Sequence, residues 1–254
     1  MTFQAHGITH AGRVRKENQD RILVSDAIGC FAVWDGMGGQ RGGDVAADTG
    51  LMVFQQYMES SRDPSEVTWP FGYNLTLSLD ANRLQTSVRL ANRQVAARSD
   101  QDPKYVGMGT TVAAVLSRGD RLAVANVGDS RVYRLRGDRL EQLTVDDTMA
   151  ALMVSKGVIA AESVAKHPMR GVLVQAVGLH GDVDVHIRED SIQGGDLVLL
   201  CSDGLYGALD TSEIVSALKC DLPVAGRSED LLERALGAGA SDNVSVIVIE
   251  YAAA

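Results

Sequence analysis

TVAAVLSRGDRLAVANVGDSRVYRLRGDRL, residues 111–140, contains three strand-length apolar runs separated by turn chemistry. TVAAVLS (111–117), RLAVANV (121–127) and RVYRLR (131–136) are rich in β-branched residues, and RGDRL occurs twice, at 118–122 and 136–140. Glycine and aspartate accept the backbone angles of tight hairpins, so both copies are read as turns of an antiparallel meander. The adhesive reading of Arg-Gly-Asp is the weaker one.

The same pattern recurs to either side, in RILVS (21–25), CFAVW (30–34), VDVHIRE (183–189), DLVLLC (196–201) and VSVIVIE (244–250). Each run is bounded by Gly, Asp, Asn or Ser. Helical spacing appears between them, over Asp44 to Met58 and Leu79 to Ala97, with a shorter block at Thr148 to Lys156. A further helix opens at Thr211, with Thr or Ser as its cap, and a last one covers Ser228 to Gly237. Strands in meanders with helices in pairs predict an α+β fold with antiparallel sheets rather than alternating βαβ units. No Pro-rich or Ser-rich linker divides the 254 residues, so one domain spanning 1–254 is expected. Ser60 to Asp80 has the character of an insertion, with Trp69 and Phe71 read as loop anchors.

The formal net charge is −9, with 24 basic against 33 acidic residues. That balance disfavours nucleic acid and anionic membrane as partners. The three cysteines, Cys30, Cys201 and Cys220, form no CxxC pair, and two lie in apolar runs. They are read as reduced thiols of a cytoplasmic protein. The N-terminus has no signal pattern and no run approaches membrane-spanning length.

The aspartates carry the functional information. Asp35-Gly36 follows CFAVW, Asp129-Ser130 follows LAVANVG, Asp203-Gly204 follows DLVLLCS, Asp242-Asn243 precedes the last strand, and Asp20 precedes RILVS. Any one of them reads as a turn or cap residue. Five in the same strand-end setting suggest one shared cleft, where bare carboxylates would repel and take up protons. A hard cation resolves the conflict. With only oxygen donors and no HxH, HExxH or CxxC, the expected ion is Mg²⁺, Mn²⁺ or Ca²⁺ rather than Zn²⁺. The spread over more than 200 residues excludes an EF-hand loop. Two such ions sharing a carboxylate and a water would supply a hydroxide and clamp a phosphoryl group.

Eight segments in order, GRVRKENQD (12–20), VWDGMGG (33–39), GMGTTVAAVL (107–116), VANVGDSRVYRLR (124–136), LTVDDT (143–148), HPMRGVLVQAVG (167–178), LVLLCSDGL (197–205) and SDNVSVIV (241–248), resemble the protein phosphatase 2C family in its compact bacterial form. The resemblance implies a four-layer sandwich of two antiparallel β-sheets flanked by pairs of α-helices. It also implies a metal-dependent protein serine/threonine phosphatase that acts through two Mn²⁺ or Mg²⁺ ions and a bridging hydroxide, with no phosphoenzyme. Asp35 would bridge the metals, the Gly36 carbonyl would ligate one, and Asp203 and Asp242 would complete the shell of the other. Asp20 would act mainly through metal-bound water, and Asp129 would help hold a third, weaker ion. Arg15 would bind the substrate phosphate, for which a guanidinium is suited by its bidentate geometry; its bland reading is a solvated charge among Arg13, Lys16 and Arg21. Residues 146–178, with Asp146, Asp147 and Thr148 at their start, correspond to a flap, either a cover or a substrate-selecting gate that touches the third metal. The implied partners are phosphoproteins and a bacterial Ser/Thr kinase that the enzyme opposes, with the chain acting as a monomer.

Two departures stand out. Many family members carry a histidine in or after the DGxGG segment, placed to protonate the leaving alkoxide, where this chain has Met37 and Gln40. Many also have an acidic residue four past the Asp of SDG, where this chain has Gly207. The alternative reading is therefore a catalytically weak or dead phosphoprotein-binding regulator on the same fold.

Overall fold

A computed structural model describes residues 1–38, 42–63, 65, 67–179 and 181–252. Eleven strands and six α-helices are assigned among them. In chain order they are β1 Phe3–His10, β2 Asp20–Ser25, β3 Cys30–Met37, α1 Gly43–Ser60, α2 Leu79–Gln101, β4 Gly109–Thr110, β5 Val112–Arg118, β6 Arg121–Val127, β7 Arg131–Arg136, β8 Arg139–Gln142, α3 Met149–Ser155, β9 His186–Ser191, β10 Leu197–Cys201, α4 Asp203–Tyr206, α5 Thr211–Leu218, α6 Val224–Gly237 and β11 Val244–Tyr251.

The strands form two antiparallel sheets. One runs β1-β11-β10-β7-β8, and the other runs β2-β3-β5-β6-β9 with β4 paired to β3. Period-two alternation explains why the strand runs read as continuously apolar. On β3, Phe31 and Val33 face the opposing sheet, with Ile247, Ile249 and Tyr251 of β11 in the same buried layer. The alternate residues Cys30, Ala32 and Trp34 face α1 and α2, and Val244, Val246 and Val248 face α5 and α6. Strands buried on both faces lose the polar half of the alternation. The α+β sandwich expected from the sequence is the observed fold.

Both RGDRL copies are hairpin turns, with Gly119 and Gly137 at φ +65° and +59°. Trp34 is core, packed edge-on against Phe54 and against Gly50, where a Cβ would run into its ring. Phe71 anchors its loop beneath the Arg93 guanidinium, 4.1 Å from the ring centre. The three cysteines are free. Among the described residues no helix is long and apolar enough to cross a membrane.

The sequence reading misplaced some boundaries. β1 was not anticipated, because FQAHGITH has few apolar residues and is held by in-register pairing with all of β11. The cap of α5 is Asp210, not Thr211 or Ser212, and it makes a reciprocal capping box with Glu213. α6 begins at Val224, four residues before Ser228, because buried Val224 extends its apolar face. β9 lies at His186–Ser191 rather than 183–189.

Candidate metal centre

Strand pairing brings the first two aspartates together. Asp20 opens β2 and Asp35 lies near the end of β3, and the register sets them directly opposite each other, on the same face of the sheet. Asp20 is almost fully buried, and its Oδ2 accepts from Ser202 Oγ and Ser245 Oγ, both at 2.7 Å. Those serines belong to the other sheet's strand ends, beside Asp203 and Asn243, so Asp20 fastens the two sheets at this end of the sandwich. The backbone of Asp35 is held by the threonine pair at the end of β4: Thr111 N and Thr110 Oγ1 donate to its carbonyl. At Gly36 a Cβ would collide with the Gly43 carbonyl, and at Gly204 with the Asn243 carbonyl. Both DG glycines are thus required by close backbone approach.

Asp203 opens the short helix α4, and Asp242 ends the loop before β11. Asn243 locks the segment between β1 and β2. Its Oδ1 accepts from Gln19 N, and its Nδ2 donates to the carbonyls of Ala11 and Glu17. That segment carries Arg15, whose Nη2 donates to Asp242 Oδ2 at 2.7 Å. The Asp203 and Asp35 carboxylates also hold the Arg15 proton more tightly.

The electrostatics show five carboxylates converging. Burial pushes Asp35 well above the usual carboxylate range, and the charges of Asp20, Asp203, Asp129 and Asp242 push it further. Burial, then Asp129, Asp242 and Asp20, raise Asp203 to about 7. Burial also raises Asp20 to about 6. Asp129 rises to about 6 through burial and the neighbouring Asp146. Asp20 Oδ1 and Asp203 Oδ1 are buried without a hydrogen-bond partner; a proton on the group would let each share a hydrogen bond with Asp35. Orphaned buried oxygens of this kind are costly. Among the described residues no group of three acidic, His or Cys side chains stands at metal-ligand spacing. The donor set is all oxygen, and two of the oxygens have no protein partner. These features suit a hard divalent cation.

Asp129, Asp203 and Asp242 line a cleft of about 1030 Å³ whose far wall includes Val164, Pro168 and Arg170. The wall residues belong to the expected flap, where Thr148 caps α3 and residues 173 and 177 bridge back to Thr148 and Thr110. Asp146 is not free at the cleft edge: it pairs with Arg131 at 2.6 Å. That guanidinium stacks on Tyr206, 3.6 Å from the ring centre, and Tyr206 Oη donates to the Asp129 carbonyl. A second depression, of about 600 Å³, lies where α2 begins beside the β5–β6 turn and holds none of the strand-end aspartates.

Met37 ends β3 and has no proton to give. Gln40 and His180 lie outside the described residues. Of the other histidines, His6 bonds Ser228, His10 bonds Gly12, His167 bonds Met169 and His186 bonds Asp147, and none lines the cleft. Gly207 lies on the cleft wall as the cap residue of α4 and offers no carboxylate. Burial raises the Cys201 thiol to about 12, which removes it as a nucleophile. The sequence reading assigned no role to Ser202, Ser245, Thr110, Thr111 or Asn243. Ser202 and Asn243 adjoin Asp203 and Asp242 in the chain, whereas nothing local marks Ser245, Thr110 or Thr111.

The family described as protein phosphatase 2C matches residues 9–237. The serine/threonine protein phosphatase PstP of Mycobacterium tuberculosis is 35% identical over 94% of this chain, and the match spans 43% of PstP. The serine/threonine phosphatase stp of Listeria innocua is 30% identical over 95% of this chain and 93% of its own length. The crystal structure of the PstP catalytic domain in complex with two manganese ions superposes with a TM-score of 0.81 at 32% identity, covering 98% of this chain and 97% of that one.

Proposed function

The chain belongs to the protein phosphatase 2C family, and from that premise we propose that it is a metal-dependent phosphatase of phosphoserine and phosphothreonine in proteins, opposing a Ser/Thr kinase. The observation that carries the reading is Asp35, set between Asp20 and Asp203, each with a buried and unpartnered carboxylate oxygen. Asp35, the Gly36 carbonyl, Asp203 and Asp242 would hold two Mn²⁺ or Mg²⁺ ions, and Asp20 would act on them indirectly. Asp129 would hold a third, weaker ion. Bound there, such ions polarise a phosphoryl group and make water nucleophilic at neutral pH.

The residues of the chain do the rest. Arg15 binds the phosphate oxygens with its guanidinium fork, and its pairing keeps that fork beside Asp242, which lines the cleft. The serine pair fixes Asp20, the threonine pair fixes Asp35, and the flap wall shields the cleft.

The test is phosphate release from a phosphothreonine peptide. Release that needs Mn²⁺ or Mg²⁺ and stops in EDTA supports the reading, and full activity in EDTA, or none with any divalent metal, defeats it. The lack of a histidine among the described residues of the cleft favours a second reading, a phosphoprotein-binding regulator without turnover. Calorimetric Mn²⁺ titration separates the two, because a dead module has little reason to keep two tight cation sites.

A further inference from the structure

Asp147 is nearly buried and touches no part of the cleft, yet it joins three segments. Its Oδ2 accepts from Gly128 N at 2.9 Å and from Gln175 Nε2 at 3.1 Å, and its Oδ1 is 2.8 Å from His186 Nε2. Its backbone N donates to the Gly128 carbonyl, and its own carbonyl accepts from Val174 N. Gly128 immediately precedes Asp129. Gln175 lies in the returning arm of the flap and is clamped to Asp184 by a reciprocal pair of hydrogen bonds. Gly128 has φ +93° and packs against Thr111, where a Cβ would collide; Thr111 in turn donates to the Asp35 carbonyl. One carboxylate thus connects the base of the flap, the Asp129 loop and β9.

We propose that Asp147 is a positioning residue: it holds the flap base and the Asp129 loop as one unit, so that cation binding at Asp129 depends on a carboxylate that never reaches the cation. The proposal rests on the phosphatase reading for the cation at Asp129; the mechanical link stands on the hydrogen bonds alone. Removal of the carboxylate leaves Gly128 N–H without an acceptor in a buried turn, a cost that loosens the loop. Outer groups that orient ligands commonly govern metal affinity by ten-fold or more. Asparagine keeps one oxygen for Gly128 and Gln175, and its amide can face His186 Nε2 in the neutral tautomer, so it preserves most of the link.

The experiment uses the full chain with two readouts. Mn²⁺ titration by calorimetry on wild type, Asp147→Asn, Asp147→Ala and Gln175→Ala should show the weakest binding phase weakened about ten-fold in Asp147→Ala, with the tight phases within two-fold of wild type and Asp147→Asn close to wild type. Hydrogen exchange of the metal-free proteins should show faster exchange at residues 128–130 and 173–177 together in Asp147→Ala, and to a lesser degree in Gln175→Ala. An unchanged weak phase beside intact tight phases overturns the proposal and leaves the phosphatase reading untouched. A uniform loss of all phases with melting temperature makes Asp147 a folding residue only, and also overturns it. If Asp147→Ala does not fold, Gln175→Ala decides by the same two readouts. A wild type that takes up no Mn²⁺ overturns the phosphatase reading and this proposal together.

Discussion

Asp20 and Asp35 face each other across the β2–β3 pair, and the two serines that hold Asp20 come from the opposite sheet. Two carboxylates in register would destabilise a plain sheet, since like charges directly opposite repel. Here the fold fixes Asp20 at a seam where the opposite sheet supplies the hydroxyl groups that donate to it.

Stability should therefore depend on pH in the direction opposite to that of a salt-bridged protein. Asp20 and Asp129 are raised to about 6 and Asp203 to about 7. A raised value means that the folded state holds the proton more tightly than the unfolded one. The contribution is fully present below the ordinary carboxylate range and is lost as pH climbs through 6 to 7. In EDTA the melting temperature should fall between pH 5 and pH 8, and Mn²⁺ should restore more of it at pH 8 than at pH 5, releasing protons as it binds. A flat EDTA profile over that range would contradict the converging-carboxylate picture.

Asp35→Asn removes the central ligand and the central repulsion at once. Mn²⁺-dependent phosphate release should drop by at least ~10³-fold. The metal-free variant should melt no lower than wild type, because a neutral amide at this buried position carries no charge to be desolvated or repelled by Asp20, Asp203, Asp129 and Asp242. A variant that keeps turnover, or that unfolds, would remove Asp35 from the proposed role.

Arg15 is more than half exposed, so its value lies in binding rather than in stability. Arg15→Ala should raise KM for a phosphopeptide about ten-fold, with kcat less affected, while Mn²⁺ affinity stays equal or improves, since Asp242 loses a competing cation. Arg15→Lys should recover only part of the KM, because an ammonium cannot make the bidentate fork. Steady-state kinetics beside Mn²⁺ titration separates the two effects.

Asn243→Ala removes three hydrogen bonds from a buried side chain. Denaturant unfolding should show a loss of about 2–4 kcal/mol. Because the freed segment carries Arg15, KM should rise at temperatures where the variant remains folded. Loss of stability with an unchanged KM would mean that Arg15 is positioned by Asp242 alone.

Much of this molecule was legible before any coordinates. The strand runs, both RGDRL turns, the paired helices and the glycine-adjacent aspartates are local signals, because alternation, turn chemistry and helical spacing are properties of neighbours in the chain. β1 was illegible for the complementary reason: FQAHGITH becomes a strand only because β11 offers its edge. The tertiary structure alone decided that Ser202 and Ser245 converge on Asp20, that Asn243 fastens the Arg15 segment, and that Asp147 ties the flap to Gly128. Each of those contacts closes a loop of between 19 and 232 residues. A side chain's choice of partner at such separations is set by how two sheets stack, not by the residues beside it.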